Sequence, residues 1–399
     1  MTRKSQIELL RGLAATVREI ADSKKNLESI KRWHDLNNKV KPDRLPIWLR
    51  PVTAWRELLP VDSLVCTDKD LSVIEINLRQ QIIKDGMGDD TPFMPWYSVP
   101  AVFDVSGENA RGTLRGDRPV GAWDYDGGFD YEDLDKLVIP VYTYNDKATA
   151  ENLDFINSIV GEYLPARAEY FIPSGLLSLC SGASRLRGML GLMTDIMDYP
   201  AELHKLMAYL RDCTLAAIDD YERTGLVTPN IYEPMTCSCE FGDKTGGADT
   251  FMNCYCQASS QEFDLISPQA WEEFLLNYQK PVFERFGRVA YGCCENLTRK
   301  IDGVLSIPNL HIFVCSAWTD LSKVVEKVGG KHVIMWRQKA SDVFFIDDFN
   351  VLRENVSEGL KKLNGCYPQI VLREIETLGP HKNRIYEYVK MLTEEAAKF

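Results

Sequence analysis

The chain has 399 residues, 45% of them hydrophobic and 26% charged, with a formal net charge of −12. This length suffices for one large α/β domain with an extension or for two domains, and the acidic balance argues against nucleic acid and anionic membrane surfaces as partners. Neither an apolar run long enough to span a membrane nor an apolar signal core occurs, so we expect a soluble, cytoplasmic protein.

Residues 1–42 predict a helical extension of the main domain. Apolar residues between Ile7 and Ile20 recur at three- and four-residue steps, which is the spacing of one helix face. A second helix is predicted over Lys25–Asn37, and Lys41-Pro42-Asp43 then ends the helical pattern. Residues 43–399 are the predicted main domain.

The main domain alternates strand-like and helix-like segments. Apolar runs predict strands at Leu45–Leu49, Trp96–Phe103, Leu137–Tyr142, Glu169–Pro173, Asn230–Pro234, Val289–Tyr291, Leu310–Cys315, His332–Trp336 and Gln369–Arg373. Helices are predicted at 68–86, Ala148–Leu164, Ser184–Arg223, Pro268–Phe286, Leu297–Leu305, Leu321–Val328, Val351–Lys362 and from Lys382 onward. Short connections between helices and strands are typical of a parallel sheet. About eight such strands favour a (β/α)8 TIM barrel over an open doubly wound sheet, and the aromatic-rich stretch Trp123–Asp130 is predicted as a loop or hairpin insertion.

Catalytic groups of such barrels lie at the carboxyl ends of the strands. The residues that end or follow predicted strands are Glu233, Cys293, Cys294, Glu295, Ser316, Trp318, Arg337, Lys339, Glu374 and Glu376. Glu262 precedes a helix with the predicted N-cap Ser267, and it is either a proton donor or a solvated loop acid. The five histidines lie in helices or at strand starts, so acid–base chemistry falls to carboxylates, thiols or tyrosine.

Cysteines are the most informative residue type. There are 11 of them, and without a signal peptide they indicate reduced thiols or metal ligands more than disulfides. Cys293 and Glu295 are two residues apart, so they project to one side of an extended chain and can bind zinc with one position open. Packing is the alternative. The pairs Cys237-Ser-Cys239 and Cys254-Tyr-Cys256 form either a four-sulfur structural site or four free thiols under a loop.

Several segments resemble the uroporphyrinogen decarboxylase-like superfamily, and more closely its corrinoid-dependent methyltransferase branch. The resemblance covers roughly residues 45–395 and is based on four stretches. These are Leu186-Arg-Gly-Met-Leu-Gly-Leu-Met-Thr-Asp195, Tyr199-Pro-Ala-Glu-Leu-His-Lys-Leu-Met207, Ser267-Pro-Gln-Ala-Trp-Glu-Glu-Phe with Lys280-Pro-Val-Phe, and Tyr291-Gly-Cys-Cys-Glu295. The last occupies the place of a His-x-Cys zinc motif in methyltransferase members.

The resemblance implies a (β/α)8 barrel that moves a methyl group between a small donor and a cobalt corrinoid on a partner protein, with zinc as activator. Tyr291 stands where the motif has histidine, while Cys293 matches its cysteine. Glu295, Cys294 or Glu374 are the candidates to complete the ligand set, since Cys366 precedes the last strand. The arginine-rich N-terminal motif of true decarboxylases is not evident.

The sequence therefore predicts a methyltransferase that demethylates a methoxy or methylamine type of donor and delivers the methyl group to cobalamin held by a corrinoid protein. Zinc on Cys293 and Glu295 would polarise the donor. The predicted catalytic residues are Glu233, Glu262, Tyr291 and Glu295, and the predicted substrate contacts are Trp96, Trp318, Arg337, Lys339 and Glu374. The alternatives are a decarboxylase of a small or tetrapyrrole carboxylic acid, and a non-catalytic metal- or corrinoid-binding module built on the Cys-x-Cys pairs.

Overall fold

The structure of the protein is a computed structural model that describes residues 2–107, 128–239, 241 and 250–399. The first five residues of the predicted insertion Trp123–Asp130 lie outside these ranges. The described strands are β1 (Ile47–Pro51), β2 (Tyr97–Pro100), β3 (Phe103–Ser106), β4 (Val141–Tyr144), β5 (Ala166–Glu169), β6 (Tyr255–Ala258), β7 (Arg288–Tyr291), β8 (Leu310–Cys315), β9 (Val333–Arg337) and β10 (Tyr367–Ile375).

Six of these strands form one curled sheet in the order β1-β10-β9-β8-β7-β6. Every neighbouring pair in it is parallel. Strand β2 pairs with β5 in a separate parallel ladder, and β3 pairs with β4 in an antiparallel one. The predicted α/β class with a parallel sheet is thereby confirmed, and the carboxyl ends of the six strands meet at one edge.

Helices connect the strands and cover the sheet. They are α1 (Arg3–Ala21), α2 (Lys24–Asn37), α3 (Trp55–Leu58), α4 (Lys69–Met87), α5 (Asp146–Val160), α6 (Ser174–Leu177), α7 (Leu179–Asp198), α8 (Pro200–Glu222), α9 (Pro268–Trp271), α10 (Asn277–Phe283), α11 (Ile301–Leu305), α12 (Leu321–Val328), α13 (Ala340–Phe345), α14 (Phe349–Lys362) and α15 (Arg384–Ala396). The single helix predicted over Ser184–Arg223 is in fact two, because Pro200 begins α8 and cannot continue the hydrogen bonding of α7. No helix in the described ranges is long and apolar enough to cross a membrane.

The strand prediction over Asn230–Pro234 is wrong, and that over Glu169–Pro173 overlaps β5 at Glu169 only. Strand β6 was not predicted, and it begins inside the Cys254-Tyr-Cys256 pair. The reason is local: the Asn230 carboxamide accepts from Tyr255 N at 2.8 Å and donates to Tyr255 O at 2.9 Å. A side chain thus satisfies the backbone groups that a neighbouring strand would otherwise bind.

The N-terminal helices are integral to the fold. Trp33 and Leu36 of α2 are fully buried in the core that packs on the six-stranded sheet. Helix α1 packs through Leu10 and Val17 on a second core formed with α4 and α5. The predicted extension 1–42 therefore covers apolar surface that the remaining chain would otherwise expose.

Asp90 joins these helices to the sheet. Its buried carboxylate accepts from Arg32 at 2.6 Å, Arg44 at 2.7 Å and Ser29 at 3.0 Å. It also accepts from the backbone N–H of Ile47 in β1 at 2.9 Å. Arg32 also pairs with Asp43 at 2.7 Å, but the Asp43 side chain is 66% exposed. Removal of the Asp90 charge therefore leaves Arg44 without its ion pair and Arg32 with the exposed one alone.

We expect Asp90→Asn to lower the free energy of unfolding by about 3–5 kcal/mol, the cost of breaking a buried ion pair. The control is Asp85→Asn. Asp85 pairs with Lys25 at 2.6 Å with both side chains 30% or more exposed, so its loss should cost under about 1 kcal/mol. Urea unfolding of both variants measures the difference, and equal losses would contradict the role given to Asp90.

Candidate functional site

The candidate site lies where β7, β9 and β10 end. Cys293 and Cys294 follow β7 through Gly292, whose φ of +118° favours glycine. A Cβ at this position would lie 2.8 Å from the Cβ of Val314 in β8. The glycine therefore lets the chain turn tightly against β8 and presents both thiols at the strand end.

Glu374 reaches the same place because β10 is irregular there. The register between β1 and β10 pairs Leu49 with Leu372 but Pro51 with Ile375, so β10 carries one extra residue between these pairs. Glu374 sits in this bulge with a φ of +55°, a conformation that costs a non-glycine residue about 1–3 kcal/mol. Bulges of this kind redirect side chains beside active sites.

Three potential ligand atoms converge at these strand ends. The Sγ atoms of Cys293 and Cys294 are 3.7 Å apart. A carboxylate oxygen of Glu374 completes the set, with all three atoms within 4.8 Å of one another. Within the described ranges, this is the one group of three such residues close enough to share a metal ion.

Two arginines balance the charge of this cluster. Arg337, at the end of β9, forms an ion pair with Glu374 and donates to the carbonyl oxygen of Cys293. Its Nη1 also lies 3.6 Å from Cys293 Sγ and 3.7 Å from Cys294 Sγ. Arg373 approaches Glu374 at 3.4 Å from the other side. One thiolate and one carboxylate thus face two guanidinium groups.

The two thiols are not equivalent. The hydrogen bond from Cys294 lowers the pKa of Cys293 to about 5, and the positive charges of Arg373 and Arg337 add to this effect against the opposing effect of burial. The same hydrogen bond, together with burial, raises the pKa of Cys294. The pair therefore holds one thiolate at neutral pH, which is the form that acts as nucleophile or metal ligand.

Glu295 has a different position from the one predicted. Its buried carboxylate accepts from Ser260 N at 2.7 Å, Ser260 Oγ at 3.1 Å and Cys293 N at 2.8 Å. It does not belong to the cluster of Cys293, Cys294 and Glu374. The structure places Glu295 as an anchor for the Cys293 backbone, although burial raises the pKa of its carboxyl group.

Tyr291 and Glu262 also make internal contacts. Tyr291 is fully buried, donates to Gln279 at 3.0 Å and accepts from Trp271 at 3.2 Å. Glu262 accepts from the Ser181 hydroxyl group through one carboxylate oxygen. Its other carboxylate oxygen is buried and lacks a hydrogen-bond partner in the described part of the chain, so Glu262 retains an acceptor for an incoming donor.

A cavity of about 590 Å³ lies between β1 and the β2–β5 ladder. Glu233 and Trp96 line it, together with Arg50 at the end of β1. Burial, and then the charge of Glu169, raises the pKa of Glu233. Arg50 lines this cavity, and its charge also acts on Arg373 of the cluster region.

Trp318 and Lys339 lie outside this cavity's lining. The Trp318 side chain is 59% exposed, and Lys339 Nζ lies 5.2 Å from the centre of its ring. Lys339 also forms an ion pair with Asp342 at 3.2 Å. Of the predicted substrate contacts, Trp96, Arg337 and Glu374 thus lie at the cavity or the thiol cluster, whereas Trp318 and Lys339 form a surface pair.

The two Cys-x-Cys pairs do not form a metal group in the described part of the chain. Cys237, Cys254 and Cys256 are buried free thiols, and Cys239 is an exposed one. Cys254 contacts the carbonyl oxygen of Thr228 at 3.6 Å, and Cys239 contacts His34 Nδ1 at 3.3 Å. Their placement favours the free-thiol interpretation.

The donor set of the cluster fits zinc. For Zn–S bonds of about 2.3 Å and tetrahedral angles, two sulfur ligands lie about 3.8 Å apart. The observed Sγ–Sγ distance of 3.7 Å matches this value. Two thiolates and one carboxylate leave a fourth position open, as in catalytic zinc sites. Binding would require Glu374 to exchange its pairing with Arg337 for the metal.

The sequence did not indicate Arg373 and Glu169 as residues of the site region, and it indicated Arg50 only for the decarboxylase alternative. Arg373 was predicted inside a strand, where an alternating pattern would turn it away from Glu374. The bulge in β10 removes that alternation. Arg50 directly follows the predicted strand Leu45–Leu49, whereas in the structure it lies within β1. Glu169 was predicted to begin a strand, whereas it is the last residue of β5.

No protein-family model matches the chain, and neither does any curated protein. Functional conclusions therefore rest on the site's own chemistry and on the resemblance described above.

We expect iodoacetamide to alkylate Cys293 of the metal-free protein with a pH midpoint near 5, because its pKa is lowered to about 5. The reactive thiolate is the form present above that pH. Cys294→Ala removes the hydrogen-bond donor and should move the midpoint upward, while Cys294→Ser keeps a hydroxyl donor and should move it less. Peptide mass spectrometry measures the rates, and an unchanged midpoint in Cys294→Ala would contradict the shared-proton arrangement.

Zinc affinity tests the cluster directly. We expect Cys293→Ala, Cys294→Ala and Glu374→Gln each to weaken binding by more than about tenfold, because loss of an outer-shell contact alone costs that much. Cys239→Ala is the matched control and should bind zinc like the wild type. Competition with a chromogenic chelator measures the affinities, and loss of zinc only in Cys239→Ala would assign the metal to the Cys-x-Cys pairs.

Proposed function

We propose that this protein transfers a methyl group from a small methylated donor to the cobalt of a corrinoid carried by a partner protein, in the reducing cytoplasm. The observation that supports this most is the convergence of Cys293, Cys294 and Glu374 at the ends of the strands. A sulfur-rich site with an open position suits the activation of a methylated oxygen, nitrogen or sulfur atom.

We further propose that the strands complete an eight-stranded (β/α)8 barrel. Strands β1, β2, β5, β6, β7, β8, β9 and β10 follow one another in the chain in the order that such a barrel requires. Six are joined in the curled sheet, and β2 and β5 form their own parallel ladder. In a barrel, β2 and β5 would stand between β1 and β6, and the cavity would lie at the carboxyl ends of the strands.

The transfer requires little covalent chemistry from the protein. The bond between the methyl carbon and the donor heteroatom breaks, and the heteroatom keeps the electron pair. The methyl group bonds to cobalt, which is formally oxidised from Co(I) to Co(III). A methoxy donor also takes up a proton. Glu233 is the candidate acid, because burial raises its pKa towards neutral pH.

The remaining residues position these groups. Zinc, when bound by Cys293, Cys294 and Glu374, would supply a Lewis acid for the donor heteroatom. Arg337 and Arg373 would hold the ligand side chains in place, and Glu295 would fix the Cys293 backbone through its 2.8 Å hydrogen bond. Orientation of the donor towards the corrinoid is then the protein's main contribution.

We expect the zinc-loaded protein to form methylcobalamin from reduced free cobalamin and at least one donor in a panel of methoxyaromatics and methylamines. Cys293→Ala should lower the rate by at least about 100-fold, since the site's electrostatic contribution is lost, while Cys239→Ala should retain it. Absorbance spectroscopy under anaerobic conditions follows the product. Absence of methylcobalamin with every donor would contradict the proposal.

A decarboxylase is the second candidate, and one observation favours it. The charges of Arg50 and Arg337 both act on Arg373 at the strand ends, and arginines bind carboxylates well. Release of carbon dioxide from an acidic substrate in the absence of cobalamin would favour this candidate over methyl transfer.

A further inference from the structure

The cavity between β1 and the β2–β5 ladder has an aromatic lining with charged groups of both signs. The aromatic residues in its wall are Trp48, Trp55, Phe93, Trp96 and Tyr232, and its acidic residues are Glu169 and Glu233. Arg50 is a basic residue of the same wall. Lys84 also contributes, but its ammonium group is paired with Asp89 and with the carbonyl oxygen of Leu49.

The acidic groups lie on the side formed by β5 and the turn that follows α8. In the described part of the chain, neither Glu169 nor Glu233 forms a hydrogen bond or an ion pair through its carboxylate. Glu233 is exposed and lines the cavity, and the charge of Glu169 adds to the rise in its pKa. Two neighbouring carboxylates without a counter-ion are relieved by a bound cation.

Two aromatic rings beside these acids already contact a cation of the protein. Trp96 and Tyr232 pack edge to face with their centres 5.2 Å apart. The Arg167 guanidinium lies 4.5 Å from the centre of the Trp96 ring and 5.1 Å from that of Tyr232. These rings therefore already take part in cation–π contacts from outside the cavity lining, and Trp is the most favourable residue for such contacts.

The basic group lies on the opposite side, on β1. Arg50 has no acidic partner among the residues that the structure describes. Burial lowers the pKa of Arg373 to about 10, and the charges of Arg337 and Arg50 lower it further while that of Cys293 raises it. Positive charge thus accumulates around Arg50, so an anionic group at this side of the cavity is favoured.

We propose that the cavity binds a zwitterion, with an N-methylated ammonium group between the aromatic rings and the acids Glu169 and Glu233, and a carboxylate at Arg50. A ligand with a single charge would match one side of the cavity and leave the other unpaired. A neutral methoxyaromatic compound would leave both sides unpaired and would gain no attraction from either charge.

This inference rests on the proposed function only for the fate of the methyl group. If methyl transfer is the reaction, the carbon–nitrogen bond of the ammonium group breaks and the nitrogen keeps the electron pair. A quaternary nitrogen leaves as a neutral amine and takes up no proton. Glu233 would then serve as a counter-charge and not as a proton donor.

Three small probes separate the two ends of the ligand. Glycine betaine carries both charges. 3,3-Dimethylbutanoate has the same shape and carboxylate but carbon in place of the charged nitrogen, and choline keeps the ammonium group but lacks the carboxylate. We expect calorimetry on the zinc-loaded protein to give glycine betaine at least about tenfold higher affinity than either analogue. The inference would be overturned if either analogue bound as tightly as glycine betaine.

Two variants test which residues hold which end. Glu233→Gln should weaken glycine betaine and choline but leave 3,3-dimethylbutanoate unchanged. Arg50→Gln should weaken glycine betaine and 3,3-dimethylbutanoate but leave choline unchanged. The probe that each variant still binds shows that it is folded. A uniform loss with all three probes, or no loss with any, would overturn the assignment of the two ends.

The outcome is distinguishable from that of the methyl-transfer assay. Tight binding of glycine betaine without formation of methylcobalamin from any donor would support the zwitterion site and contradict the proposed reaction. The opposite result is also informative. If the protein formed methylcobalamin from neutral methoxyaromatics but did not bind glycine betaine, the proposed reaction would be supported and the zwitterion site contradicted.

Discussion

The balance of charge between two arginines and the thiol–carboxylate cluster is the interaction on which the site depends. Arg337 contacts Glu374, the Cys293 carbonyl oxygen and both thiols, so one guanidinium group links the ends of β7, β9 and β10. Without it, a thiolate and a carboxylate would repel each other at short range. A divalent metal ion can replace this positive charge, which makes the cluster suited to exchange between an ion-paired and a metal-bound form.

Two unusual backbone conformations bring the thiols, the carboxylate and the arginines together. Gly292, directly after β7, adopts a φ of +118°, and Glu374, in β10 of the same sheet, adopts a φ of +55°. The first places the cysteines after β7, and the second, in the bulge of β10, brings Glu374 and Arg373 together. The Glu295 carboxylate then accepts from the Cys293 N–H, and Ser260 N–H fixes that carboxylate in turn. Rigid supports of this kind preorganise a site before any ligand binds.

Sequence patterns predicted the class of the fold and several residues of the candidate site, but not the detailed geometry of that site. Leu310–Cys315 and Leu321–Val328 are predicted with the bounds they have in the structure, because strong periodicity and short connections leave few alternatives. The strand-end rule also selected Cys293, Cys294, Arg337 and Glu374. It could not reveal the bulge in β10, the side-chain pairing of Asn230 with β6, or the inward turn of Glu295, since each depends on contacts with residues distant in the chain.

X-ray absorption spectroscopy of the zinc-loaded protein tests the central claim most directly, because it counts the sulfur atoms bound to the metal. Coordination by Cys293, Cys294 and Glu374 predicts two sulfur atoms at about 2.3 Å and oxygen or nitrogen at about 2.0–2.2 Å. Four sulfur atoms would assign the metal to the Cys-x-Cys pairs, and a shell without sulfur would exclude the thiol cluster as the metal site. Either result would contradict the central claim.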